Sequence, residues 1–182
     1  MKFETDRLSI REVTLADTVS VHKLNSLPET EKYNTMGIPE SIQVTEELVS
    51  SWVAERSQEL RKSYVFVIEE KQGYEFIGLI ALITGKPKFK NAELWYKLHP
   101  SQWRKGYASE AVTRLLEYSF GEMKFHRMEA GCAIENIASV KVLEKVGMTR
   151  EGIKRKILPI RGEWVDAFTY SILEEEFYSR NK

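Results

Sequence analysis

The period of apolar and polar positions changes repeatedly along the chain, and each change marks an element. Residues 8–11 read as a short strand, and Thr14 followed by Asp17 resembles a capping box opening a helix towards Asn25. The stretch 29–43, with Pro39 and Gly37, lacks a clear period and reads as loop, or loop with a short helix. Thr45 then caps a helix whose apolar stripe is Leu48, Val49, Trp52, Val53 and Leu60, ending near Lys62. Runs 64–69 and 76–83 are β-rich and flank Lys71-Gln72-Gly73, which predicts an antiparallel hairpin buried on much of both faces. Residues 92–98 form a further strand, stopped by Pro100, which lacks a ladder donor and biases His99 towards extended backbone.

Ala108, Ala111, Val112, Leu115, Leu116 and Ser119 recur at helical spacing, and Glu110 precedes Arg114 by one turn, the favourable order for an ion pair. Residues 127–133 are a strand, 136–146 a helix closed by Gly147, and 148–158 with 163–173 a final strand pair. No repeat or linker interrupts the series. The elements therefore predict one α/β (α+β) domain over 1–182, with about seven strands and flanking helices.

Composition narrows the function more than the fold. Basic and acidic residues both number 27, so the net charge is zero and gives no reason to expect nucleic acid or an anionic membrane as partner. The single Cys132 has no internal disulfide partner and reads as core, and the three histidines lack zinc-ligand spacing, so no metal site is expected. The opening MKFETDRLSIRE contains no apolar run of signal-peptide length, which points to the cytoplasm. At this length a core needs no staple, and a monomer or homodimer is expected.

The chemistry concentrates in Glu93-Leu-Trp-Tyr-Lys-Leu-His-Pro-Ser-Gln-Trp-Arg-Lys-Gly-Tyr-Ala108, a strand, a turn with two cations and one glycine, then an amphipathic helix. Such a turn aims free N–H groups at one spot and adds the positive end of the helix dipole, so it suits a pyrophosphate; Gly106 admits close approach without a Cβ. A plain strand-to-helix connection is the simpler alternative. The sequence has neither Gly-Lys-Ser/Thr nor Gly-x-Gly, which excludes a P-loop and a dinucleotide fingerprint.

Trp103-Arg-Lys-Gly-Tyr-Ala108 resembles the Q/R-x-x-G-x-G/A motif of the GNAT N-acetyltransferases, and HPSQWRKGYASEAV resembles their RimJ/RimL-like, ribosomal-protein-alanine acetyltransferase branch. Downstream, Asn136 to Met148 is similar to that family's N-x-x-S-x-x-x-x-x-K-x-G-F segment. The resemblance implies a GNAT fold, a mixed sheet whose fourth and fifth strands splay around the pantetheine arm of acetyl-CoA. It implies further that main chain at Lys97, Leu98 and His99 holds that arm, the Leu98 amide polarising the thioester. Amides of Arg104, Lys105, Gly106, Tyr107, Ala108 and Ser109 would hold the phosphates, and Asn136 and Ser139 would meet the arm.

By the same resemblance Glu93 is the general base, on the strand face of Trp95 and Lys97 and opposite Tyr96 and Leu98. Leu143 stands where many members carry the tyrosine that protonates the leaving thiolate, and Ser139 is the nearby substitute. A surface carboxylate and a solvated helix hydroxyl are the structural alternatives for Glu93 and Ser139. The implied activity is acetyl transfer to a primary amine by direct attack. Branch resemblance favours a protein N-terminus as acceptor, against a polyamine, an antibiotic or another small molecule. The loop 33–39, the helix around Trp52 and the final hairpin would line the acceptor groove. A non-catalytic acyl-CoA-binding regulatory module is the rival reading.

Overall fold

Two apolar faces on the same strands organise the molecule. The structure is a computed structural model describing residues 1–180. In it β1 (Lys2–Glu4), β2 (Leu8–Glu12), β3 (Ser63–Glu70), β4 (Phe76–Thr84), β5 (Asn91–Leu98), β6 (Arg127–Ala133), β7 (Thr149–Ile160) and β8 (Glu163–Leu173) form a sheet in the order β1-β2-β3-β4-β5-β6-β8-β7. β5 and β6 pair in parallel; the other neighbours are antiparallel. The helices are α1 (Thr18–Asn25), α2 (Pro28–Glu31), α3 (Ile42–Ala54), α4 (Tyr107–Gly121), α5 (Ile137–Lys145) and α6 (Glu174–Arg180).

Alternation along β3 explains why its run is almost continuously apolar. Phe66 and Ile68 enter the larger core with Val112 and Leu116 of α4 and Leu143 of α5, while Val65 and Val67 enter a second core with Val21 and Leu24 of α1 and Val49 of α3. Helices thus cover both faces, so polar residues have no exposed side of the central strands to occupy.

Several expectations need correction. Ser41, not Thr45, precedes the third helix; Thr45 lies inside it, 1% exposed, with its hydroxyl 2.8 Å from Nδ1 of His22 on α1. That helix stops at Ala54 and Leu60 is 71% exposed, because a short 3-10 turn at Glu55–Ser57 takes the chain off the helical path. Glu110 does not pair with Arg114: it turns to Arg7, and Arg114 reaches Glu117 instead. β1 and α6 are additional to the elements that periodicity marked, both being short pieces held by packing, Phe3 against Phe66 and Phe177 against Phe120. The extra strand makes the splayed pair the fifth and sixth strands in chain order.

Candidate active site

The sheet opens between β5 and β6. Their pairing runs from Asn91↔Arg127 to Leu94↔Ala130 and stops, although β5 stays paired with β4 as far as Leu98 and β6 with β8 as far as Ala133. Each strand keeps its outer neighbour, so the inner edges diverge into a fork. At both ends of β5 the odd-numbered residues bond towards β4: the Asn91 carbonyl accepts from Gly85 N–H at 2.9 Å, and His99 N–H donates to Ile77 O at 2.8 Å. Backbone direction alternates along a strand, so the amides of Tyr96 and Leu98 face the fork. Of Lys97, Leu98 and His99, Leu98 alone presents its peptide edge to the gap. Its carbonyl is taken by Trp103 Nε1 at 2.8 Å, and its N–H is left.

The turn beyond β5 bares the amides at the start of a long helix. After a 3-10 turn at Pro100–Gln102, Arg104 (φ 61°) and Gly106 (φ 83°) adopt left-handed backbone, and α4 starts at Tyr107. The first internal bond of α4 runs from Glu110 N–H to the Gly106 carbonyl, so the amides of Tyr107, Ala108 and Ser109 precede it and lack helical partners. An anion set there would meet these amides and the positive end of a long helix. The Lys105 ammonium is a brace, 2.8 Å from Gln102 Oε1, and Gln102 in turn donates to Glu75 at 2.9 Å.

Arg7 is a functional candidate that sequence reasoning missed. Its Nη1 donates to the Lys105 carbonyl at 3.0 Å, its Nε to Glu110 at 2.7 Å, and the guanidinium lies 4.6 Å over the Tyr107 ring. Partial burial pushes the Glu110 carboxyl up, but the Thr5 hydroxyl and Arg7 outweigh it and hold the group below the ordinary carboxylate range. The only signal for Arg7 in the sequence was the opening Asp-Arg-Leu segment, far from the turn it braces.

On the α4–α5 side of the fork, Asn136 caps α5 by accepting from Ser139 N–H at 3.2 Å, which leaves its amide donors unused by the cap. Ser139 Oγ lies 2.8 Å from the Tyr96 hydroxyl. Burial pushes the Tyr96 phenol well above its ordinary value, with Ser139 opposing. It raises the Cys132 thiol in the same way, and Cys132, 6% exposed, is part of the core as expected. Leu143 is 1% exposed and packed in the same core.

The opposite face of β5 carries Glu93, Trp95 and Lys97. Glu93 is exposed, and its Oε1 lies 3.9 Å from where a Cβ on Gly131 would stand, so the carboxylate leans over β6 at the first residue beyond the paired segment. Trp95 packs against Trp52 of α3, ring centroids 6.2 Å apart. Lys97 is half-buried and its ammonium donates to Asn25 Oδ1 at 2.7 Å; burial pulls its pKa down to about 8, with the Glu31 charge acting the other way. Glu31 is ion-paired to Arg161 at 2.6 Å, joining α2 to the β7–β8 turn. A cavity of about 380 Å³ opens there, lined by Tyr33, Ile160, Arg161 and Trp164 among others. Tyr33 and the final hairpin therefore converge, and Trp52, partly buried, stands against Trp95 on the face that carries Glu93.

A strand fork with an amide facing it, next to a glycine turn that bares a helix N-terminus, would suit an extended ligand that carries an anionic group. The family model described as "Acetyltransferase (GNAT) domain" matches residues 7–149, and the chain belongs to this family. It is 36% identical to the uncharacterized N-acetyltransferase YnaD of Bacillus subtilis (strain 168) over 97% of this chain and 99% of that one. A GNAT acetyltransferase from Bacillus anthracis superposes with a TM-score of 0.84 at 34% identity, over 97% of this chain and 100% of that one. Spermidine N-acetyltransferase from Vibrio cholerae, solved in complex with CoA and spermine, gives 0.84 at 26% identity, over 96% and 99%. The chain is thus an N-acetyltransferase with acetyl-CoA as donor. No described helix is long and apolar enough to cross a membrane.

Proposed function

We propose that this chain acetylates a protein N-terminal amine by direct attack within the β5–β6 fork, in the manner its RimJ/RimL-like motifs imply. The observation that carries the reading is the divergence of the strands after Leu94, which leaves the Leu98 N–H facing the gap and puts Glu93 at its base. The amides from Arg104 to Ser109 hold the phosphates and Asn136 meets the pantetheine arm. The acceptor enters on the Glu93–Trp95–Lys97 face. Its nitrogen attacks the thioester carbon; the Leu98 N–H stabilises the oxyanion; Glu93, directly or through water, takes the amine proton; the C–S bond then breaks and the thiolate leaves. We further take residues 1–182 to be one catalytic domain, working in the cytoplasm as a monomer or homodimer.

A polyamine acceptor is the second reading, supported by the likeness to the spermidine enzyme. Lys97 weighs against it, because a half-buried ammonium without a carboxylate in contact repels an acceptor that carries further positive charges. CoA release measured across N-terminal peptides, amino acids, polyamines and aminoglycosides decides between them. Peptides are expected to have the highest kcat/KM; preference for spermidine would overturn the peptide assignment.

A further inference from the structure

The leaving thiolate needs stabilisation, and the helix position where related enzymes place a tyrosine holds the buried Leu143. A phenol nevertheless reaches the same region from a different element. Tyr96 comes from β5 and Ser139 from α5, and their hydroxyls meet beside the open part of the fork. The Tyr96 hydroxyl is 2.8 Å from Ser139 Oγ and 3.4 Å from the Ser139 carbonyl. The shorter contact admits Tyr96 as donor, its single hydrogen going to Oγ, and the Ser139 hydroxyl then keeps its own hydrogen for another partner.

We propose that Tyr96 is a positioning residue for departure of the CoA thiolate, donating to Ser139 Oγ so that the serine hydroxyl turns its hydrogen to the sulfur. This rests on the acetyl-CoA site described above. As the C–S bond breaks, sulfur keeps the bonding electron pair and accepts a hydrogen bond from Ser139, polarised in turn by Tyr96; water later supplies the proton that makes the free thiol. Full proton transfer is not required and would run uphill, since an ordinary phenol titrates near 10 and an ordinary thiol near 8.5. Burial raises Tyr96 further, which keeps the phenol a donor throughout the cycle. The titratable groups that act on this cluster are Cys132 on β6 and Glu144 on α5.

The test reads the sulfur directly. Thiolate absorbance of bound CoA is measured at a fixed pH of about 8, as the difference between complexes with CoA and with desulfo-CoA, which cancels Cys132 and the tyrosines. Tyr96→Phe keeps the ring and its packing. It is expected to lower the bound thiolate-to-thiol ratio about 10-fold, the loss expected of one charge-assisted hydrogen-bond relay. Ser139→Ala should do the same, and the double variant should lose no more than Ser139→Ala alone. An unchanged ratio in Tyr96→Phe overturns the proposal, as does a fall in turnover without a fall in the ratio, which is what a purely structural role would give. The titration needs no acceptor, so a ratio that falls as expected while no amine is acetylated would sink the acceptor assignment and leave the Tyr96 role standing.

Discussion

Arg7 and Glu110 lie 103 residues apart in the chain and meet side by side, Nε to Oε2 at 2.7 Å, at the start of α4. The same guanidinium holds the Lys105 carbonyl, so the turn between β1 and β2 braces the turn that bares the helix amides. Arg7→Met is expected to weaken acetyl-CoA binding by about 10-fold or more, because it removes both a brace and a positive charge beside the proposed phosphate site. Calorimetry at two salt concentrations checks it: wild-type affinity should fall more steeply with salt than the variant's. Equal affinity in both proteins would mean that Arg7 only holds β2 to α4.

Gly106 has φ 83° and caps α4. Gly106→Ala should fold at a cost of roughly 1 kcal/mol for placing a Cβ in left-handed backbone. Gly106→Asp adds a negative charge at the same point and should abolish acetyl-CoA binding while the circular dichroism stays native. Measurable binding by the folded aspartate variant would remove the phosphates from this turn.

For Glu93, general-base assistance is typically worth 10²- to 10⁴-fold, so Glu93→Gln should lower kcat by about a hundredfold or more with acetyl-CoA affinity nearly intact. The acidic limb of the wild-type kcat profile should report an ionisation that the glutamine variant lacks. A limb that persists in both belongs to the acceptor amine. Near-wild-type kcat at every pH would leave Glu93 a surface carboxylate at the edge of the fork.

Lys97 links the site to stability. Its folded pKa of about 8 lies below that of an unfolded lysine, near 10.4, because burial penalises the ammonium. Between these values the unfolded chain binds more protons than the folded one, so this group makes stability rise with pH across that window; below it both states are charged and the full penalty applies. Lys97→Met should therefore raise the melting temperature at neutral pH and flatten the rise between about pH 8 and 10. It should also improve kcat/KM for polyamines relative to peptides. A variant less stable at neutral pH would show that the bond to Asn25 outweighs the burial of the charge.

The order of strands and helices, the apolar face of α4 and the turn around Gly106 were legible in the sequence, because each depends on residues within one or two turns of each other. Strand parity likewise put Glu93, Trp95 and Lys97 on one face and Tyr96 with Leu98 on the other. Short elements such as β1 and α6 were not legible, since a few residues have too little local preference to hold a conformation without a partner. Thr45 looked like a cap because a threonine before two glutamates is a good local start; the helix instead begins at Ile42, and Thr45 turns inwards to His22 of α1. Arg7 beside Glu110, Tyr96 beside Ser139 and Lys97 beside Asn25 join residues whose separation along the chain carries no period. Their meeting is decided by how turns, strands and helices distant in the chain pack together, which no local pattern contains.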